Sequence, residues 1–409
     1  MHLLRRVALG GMLPLLAWVG ALGAQDTIDW SRKPVLLLTM GQGEEVFEKF
    51  GHNAIVVWDE ARGEPVAYNW GMFDFAQPRF IQRFLSGDTK YWMEPRSFRR
   101  TILDYQRLNR TVTAQELALT PPQKAQLLAA LAENAREENK YYRYDYYRDN
   151  CSTRVRDALN VVTGGVLKQA MMAQPGRGSY RWHTRRLLAY SVPLYFGIQL
   201  VLGVDADMPL TGWDEAFLPQ SLSASVGRIE LPAADGLPVR PLAAPIDTIF
   251  RASRAAEPVE VEPRLATAAV CGVIVGCLLL GLARMGRFGA ATGMALWAIL
   301  CTLVGTALLL AWFATRHVFM ANNPSVAMIN PGWIIALAAA AMVTRGGASR
   351  GARSALRWLL VIAVVGTAGA VLLGHAGSAL EIAAVFLPGH AAVVYTADRF
   401  KQNAPRPVT

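Results

Sequence analysis

Residues 141–157 read YYRYDYYRDNCSTRVRD: five tyrosines, then the run Asp149-Asn150-Cys151-Ser152-Thr153. Beyond it, apolar residues recur at Val155, Leu159 and Val162, intervals that suit one face of a helix. Asp149 or Asn150 is a good N-cap, which puts Cys151 in the first helical turn. Free backbone N–H groups and the positive end of the helix dipole favour a thiolate there. Cys151 is the sole cysteine of the first 270 residues; Cys271, Cys277 and Cys301 lie in apolar runs. The chain thus reads as a scaffold that places one thiol.

Upstream, the sequence supplies strands. Pro34 to Met40 is an apolar run of strand length, broken by Gly41 to Gly43, and Glu44 to Phe50 suits a short helix or loop. Gly51-His52-Asn53 opens Ala54-Ile55-Val56-Val57-Trp58, a run rich in β-branched residues that reads as a buried strand. Arg62-Gly63-Glu64-Pro65 is a turn signal, and Val66-Ala67-Tyr68-Asn69-Trp70 returns. The hairpin puts His52 at a strand start with Asn69 nearby. Arg99 to Leu119 fits strand or helix pieces that the pattern does not separate. Thr120-Pro121-Pro122-Gln123 combines an N-cap, an early helical proline and a capping-box glutamine, which predicts a helix to about Asn139.

Downstream, Arg181-Trp182-His183-Thr184-Arg185-Arg186 reads as a solvated or headgroup-facing surface. Leu187 to Val204 is apolar but holds Ser191, Pro193, Tyr195 and Gln199, so it reads as a core or membrane-touching helix rather than a span. Asp205 to Pro263 is rich in proline and alanine and ends as an extended stem. Five apolar segments follow, at about 265–283, 289–313, 332–344, 356–373 and 379–397; the fifth carries Glu381 and His390. Their loops alternate in charge. Arg284 and Arg287, then Arg345, Arg350, Arg353 and Arg357, then Arg399, Lys401 and Arg406 fall on one side. The other side has one arginine, Arg316, and the histidines His317 and His375. Positive loops stay inside, so the N-terminal part lies outside and the C-terminus in the cytoplasm.

This placement also accounts for much of the formal charge of +10 in a 409-residue chain that is 53% hydrophobic. A basic balance spent on membrane loops does not point to nucleic acid. Arg5 and Arg6 ahead of the apolar Val7 to Val19, with small residues at Ala21-Leu22-Gly23, read as a secretory signal. In an oxidising compartment a lone Cys151 finds no disulfide partner in its own domain. The expected organisation is a signal peptide over 1–24, a periplasmic Cys-His catalytic domain over 25–230 and a stem over 231–264. A helical transmembrane domain over 265–397 and a cytoplasmic tail over 398–409 complete it. That makes a multi-pass protein of the inner (cytoplasmic) membrane with its catalytic domain in the periplasm. No spacing of Cys and His suits a metal, and no cofactor is implied.

Cys151 and His52 are the leading chemical pair: a cysteine nucleophile needs an imidazole within reach, and a third polar group orients that imidazole. Phe50-Gly51-His52-Asn53, Tyr68-Asn69-Trp70-Gly71 and the stretch Tyr144 to Thr153 resemble the Lnb N-terminal periplasmic domain family. Phe217-Leu218-Pro219 and the membrane spans resemble that family's later regions. The resemblance implies a lipoprotein N-acyltransferase with an α+β, permuted papain-like periplasmic domain ahead of about five spans. It implies Cys151 as nucleophile and His52 as base, with Asn69 as the candidate third member and Asn53 behind it. Asn53, Tyr147 and Asn150 are further candidates for substrate binding. So are His317, Asn322 and Asn323 of the polar loop after the second apolar segment. The implied partners are a phospholipid acyl donor, a lipoprotein acceptor and the membrane. A periplasmic cysteine peptidase or amidase, and a membrane-anchored binding module without activity, are the competing functions.

Overall fold

The computed structural model describes residues 28–233 and 238–402. The expected signal peptide lies outside them, as does the tail from residue 403. The described chain forms two compact units.

The first unit is built on a seven-stranded sheet. Its strands are β1 (Leu36–Met40), β2 (His52–Asp59), β3 (Glu64–Met72), β4 (Lys90–Ser97), β5 (Val112–Glu116), β6 (Tyr141–Arg143) and β7 (Asp247–Phe250), in the order β7-β5-β1-β2-β3-β4-β6. Each neighbouring pair in this sheet is antiparallel. The expected hairpin is β2–β3, in register from Ala54 opposite Asn69 to Asp59 opposite Glu64. Side chains alternate across a strand, so each face takes its own helices. Leu37, Ile55, Val57, Val66 and Tyr68 pack with α2 (Pro121–Asn134) and α3 (Cys151–Val162). Leu36, Leu38, Ala54, Val56 and Ala67 pack with α1 (Phe98–Arg107).

Helix α2 starts as the sequence predicts: Thr120 caps it and exchanges hydrogen bonds with Gln123. It stops at Asn134, short of the expected Asn139. Asn134 Nδ2 donates to the Asn139 carbonyl and Asn139 Nδ2 to the Glu133 carbonyl, so two amides fold the chain back on itself. The stretch 99–119, whose pieces the sequence pattern does not separate, is the body of α1 followed by β5. The stem expected over 231–264 is corrected in part, because β7 is a sheet strand paired with β5. Ile249 and Leu242 are buried, which commits that segment to the core.

The second unit holds five helices long and apolar enough to cross a membrane: Leu265–Arg284, Arg287–Phe313, Ser325–Arg345, Arg350–Leu372 and Ala376–Arg399. The third is interrupted. A short turn at Ser325–Met328 and a 3-10 turn at Pro331–Ile334 precede the regular helix Ile335–Arg345. Asn330 caps the second piece, and Pro331 supplies the fixed backbone angle that suits a first helical position.

Two expectations for residues 181–204 are corrected here. Leu187–Val204 is not one helix but the end of Tyr180–Leu188, a break, and Val192–Val201. Pro193 fits only the first turn of the new helix, and ten residues span about 15 Å, too short to cross. The arginine-rich stretch is not a solvated surface either. Arg181, His183, Arg185 and Arg186 are all buried. Arg181 pairs with Asp207 at 2.6 Å, Arg185 reaches Tyr195 Oη at 2.6 Å, and Tyr195 Oη donates to Glu381 at 2.8 Å. Gln199 also donates to Glu381. A charged stripe reads as solvent-facing in sequence because its counter-charge lies far away along the chain.

Candidate active site

Helix α3 fixes the thiol. Asn150 is the N-cap: its Oδ1 accepts from Ser152 N and Thr153 N, both at 2.9 Å, and its own N–H donates to Thr153 Oγ1 at 2.7 Å. Asn150 Nδ2 donates to the Tyr146 and Phe217 carbonyls, which ties the helix start to two other segments. Asp149, the other cap candidate, instead makes a bidentate pair with Arg154. Cys151 therefore occupies the first position of a fully capped helix, 9% exposed. Strand β2 lies against it through Asn53, whose Oδ1 is 2.8 Å from Ser152 Oγ. The rest of the Asn53 amide bonds Leu38 O and Thr39 Oγ1, so that side chain joins strand to helix. What Asn53 offers the thiol is its backbone N–H, whose effect is to lower the thiol's pKa.

His52 opens β2. Its Nε2 lies 3.2 Å from Asn69 Oδ1, while Asn69 Nδ2 donates to the Ala67 carbonyl at 3.0 Å. That second bond orients the amide. An acceptor facing Nε2 means that Nε2 carries the proton, which leaves the Nδ1 lone pair free. The sequence expectation that Asn69 sits beside His52 agrees with this geometry. No hydrogen bond joins His52 to Cys151 among the described residues. The imidazole instead stacks on Tyr105, with ring centroids 6.3 Å apart and planes at 16°. Arg110 lies over the other partner of that stack, its guanidinium carbon 4.7 Å from the Tyr105 ring centroid.

The electrostatics reverse one expectation. Burial pushes the Cys151 thiol up from its ordinary value, and the N–H groups of Asn53 and Ser152 and the charge of Arg110 only partly offset it. Burial, then Arg110, pushes His52 down to about 4. At neutral pH the resting pair is a thiol and a neutral imidazole, not a thiolate and an imidazolium. The helix start does favour the thiolate, but desolvation is the larger effect.

Gly71 makes the room. Its φ is +83°, and a Cβ added there would meet Cys151 Cβ at 3.4 Å and the Tyr144 ring at 3.5 Å. Tyr144 stacks on Tyr91 at 4.4 Å, and burial raises the pKa of both phenols, so they stay protonated. Tyr147 is 3% exposed and packs edge-to-face on Phe217, a core position rather than an open one. Sequence reasoning missed Tyr105 and Arg110. Their only signal was an aromatic and a basic residue five apart in a segment of undecided structure.

The polar-loop candidates belong to the second unit and are described within it. His317 Nε2 bonds the Phe84 carbonyl at 2.9 Å. Asn322 has a positive φ of 52°. Asn323 is 2% exposed and donates to the Leu200 and Val201 carbonyls, the open end of a short helix. Among the described residues no group of three His, Cys, Asp or Glu is placed to hold a metal.

A mixed helix-and-sheet domain carrying a capped cysteine, joined to five helices of membrane-spanning length, defines a multi-pass membrane protein with an extramembrane α+β domain. Residues 24–190 match the family model of the Lnb N-terminal periplasmic domain. No curated protein and no solved structure matches the chain.

Proposed function

We propose that the protein is a thiol acyltransferase of the inner membrane, with a permuted papain-like periplasmic domain. It moves an acyl chain from a phospholipid to an amine, the N-terminal cysteine of a lipoprotein being the acceptor that the family suggests. The observation that carries this reading is the Asn69–His52 pair at the start of β2, whose next residue, Asn53, bonds Ser152, the neighbour of Cys151. Asn69 holds the Nε2 proton, so Nδ1 is the free base for a thiol at a helix start. His52 Nδ1 takes the thiol proton as sulfur attacks the ester carbonyl. The C–S bond forms, the ester C–O bond breaks, and the proton passes to the leaving alkoxide. The amine then attacks the thioester, gives up a proton through His52, and the thiol is restored. The helix-start N–H groups and the Asn53 N–H are the donors available to the developing oxyanion.

Five span-length helices exceed what an anchor requires, which favours a lipid substrate over a soluble peptide. The test incubates purified full-length protein with acyl-labelled phospholipid and no acceptor. Label should attach to the protein, be released by neutral hydroxylamine, and be missing from Cys151→Ala. Active protein that never takes up label while it cleaves peptide or cell-wall amides is a hydrolase instead.

A further inference from the structure

Arg110 has one donor that nothing among the described residues uses. The residue is 4% exposed. Its Nε donates to the Gly41 carbonyl at 2.9 Å and its Nη1 to Glu48 at 3.2 Å, while Nη2 is buried without an acceptor. A buried guanidinium nitrogen left unpaired is costly, and the three groups around it are those of the site. The guanidinium covers Tyr105, Tyr105 stacks on His52, and the positive charge is felt at both His52 and Cys151. Glu48, itself largely buried, holds the head in place. The arrangement is a fixed, charged donor with one unpaired prong beside the Tyr105–His52 stack.

We propose that Arg110 Nη2 receives an anionic oxygen of the substrate, the phosphodiester of a glycerophospholipid, beside Cys151. A phosphodiester sits on the same glycerol as the ester that the thiol attacks, so holding the one fixes the approach of the other. Nη1 stays on Glu48 and Nε on Gly41, so binding needs no rearrangement of the arginine. The choice of a phospholipid rests on the acyltransferase reading; the anion site does not.

Two thiol reagents of nearly equal shape separate these claims. Iodoacetate and iodoacetamide each form a C–S bond to Cys151 and expel iodide, and they differ in one negative charge. Their rate ratio is read by mass spectrometry of the Cys151 peptide in the full chain. The ratio cancels any general change in thiol acidity. Arg110→Met should lower the iodoacetate-to-iodoacetamide ratio about tenfold or more, the range of a lost hydrogen bond to a charged group. Arg110→Lys should retain part of it. Glu48→Gln should raise it, by freeing the guanidinium of its counter-charge. Equal ratios in wild type and Arg110→Met overturn the proposal; should that variant not fold, an unmoved ratio in both Arg110→Lys and Glu48→Gln does so.

Competition identifies the source of the anion. Mixed micelles of phosphatidylglycerol should protect Cys151 from iodoacetate in wild type and not in Arg110→Met, and inorganic phosphate at the same concentration should not protect. Protection by phosphate and not by lipid overturns the phospholipid assignment. A preserved reagent ratio with no acyl label on Cys151 strikes the acyltransferase reading alone.

Discussion

Two histidines, partly buried His52 in the first unit and fully buried His390 in the second, are satisfied differently. In the membrane unit His390 is 0% exposed. Its Nδ1 accepts from Trp297 Nε1 at 3.0 Å, its Nε2 lies 3.0 Å from the Met328 carbonyl, and its ring stacks on Trp333 at 3.9 Å. Both nitrogens are in use. In the periplasmic unit His52 has one nitrogen on Asn69, and the other has no protein partner among the described residues. The cysteines differ likewise: Cys301 lies inside a membrane helix, while Cys151 starts a capped one. A histidine with both nitrogens committed is architecture. One with a lone pair left over can move a proton.

The largest expected effect tests that contrast directly. Cys151→Ala should abolish acyl labelling, and His52→Ala should slow it by about 10²–10⁴-fold, the usual share of general acid–base catalysis. Both should unfold close to the wild-type temperature. His390→Ala should do the opposite, costing about 2–5 kcal/mol through a cavity and two stranded polar groups. It should leave the label per folded molecule unchanged. Loss of labelling in a fully stable His390→Ala would break the comparison. Asn69→Ala removes the bond that sets the His52 tautomer, and a single hydrogen bond predicts a loss of about tenfold. A larger loss in the labelling rate would sharpen the assignment of Asn69 as the third member.

The smallest effect is on pH. With His52 at about 4, the base is neutral at pH 7, and labelling should fall only as pH drops through about 4. Removing the Arg110 charge lifts one of the influences that depress the imidazole. The acid limb of Arg110→Met should therefore move up, measured as labelling rate against pH. Stability follows the same group. Between its ordinary 6.5 and about 4 the unfolded chain binds a proton that the folded site resists, so stability falls as pH falls through that window.

Much of this was legible before any coordinates. A continuous β-branched run gave β2 and the turn signal at Arg62–Pro65 gave its return as β3, because a strand covered on both faces is apolar throughout. Thr120-Pro121-Pro122-Gln123 and Asn150-Cys151 marked helix starts, because caps are local chemistry. Asn69 could be placed near His52, because a hairpin register is set by its turn. What the sequence hid depended on distant partners. Arg181 and Arg185 looked like surface until Asp207 and Glu381 supplied their counter-charges. The balance between helix dipole and burial at Cys151 could not be read from types and spacings, since desolvation is a property of the packed site. Tyr105 and Arg110 were invisible for the same reason. Only the fold stacks them on His52.

Gly272 and Gly276, four residues apart on the first membrane helix, press against the last one. A Cβ at Gly272 would overlap the Ala384 carbonyl oxygen, and one at Gly276 would lie 3.2 Å from Pro388 Cβ. Small residues at this spacing let two membrane helices approach closely. Leu265 precedes Ala376 by 111 residues, so a ribosome working at about 5–20 residues per second needs roughly 6–20 s between them. During that interval the glycine face of the first helix has lipid for a neighbour instead of its partner. The unit closes when its last helix arrives, and a chain arrested before Ala376 leaves that seam open for the quality-control proteases of the membrane.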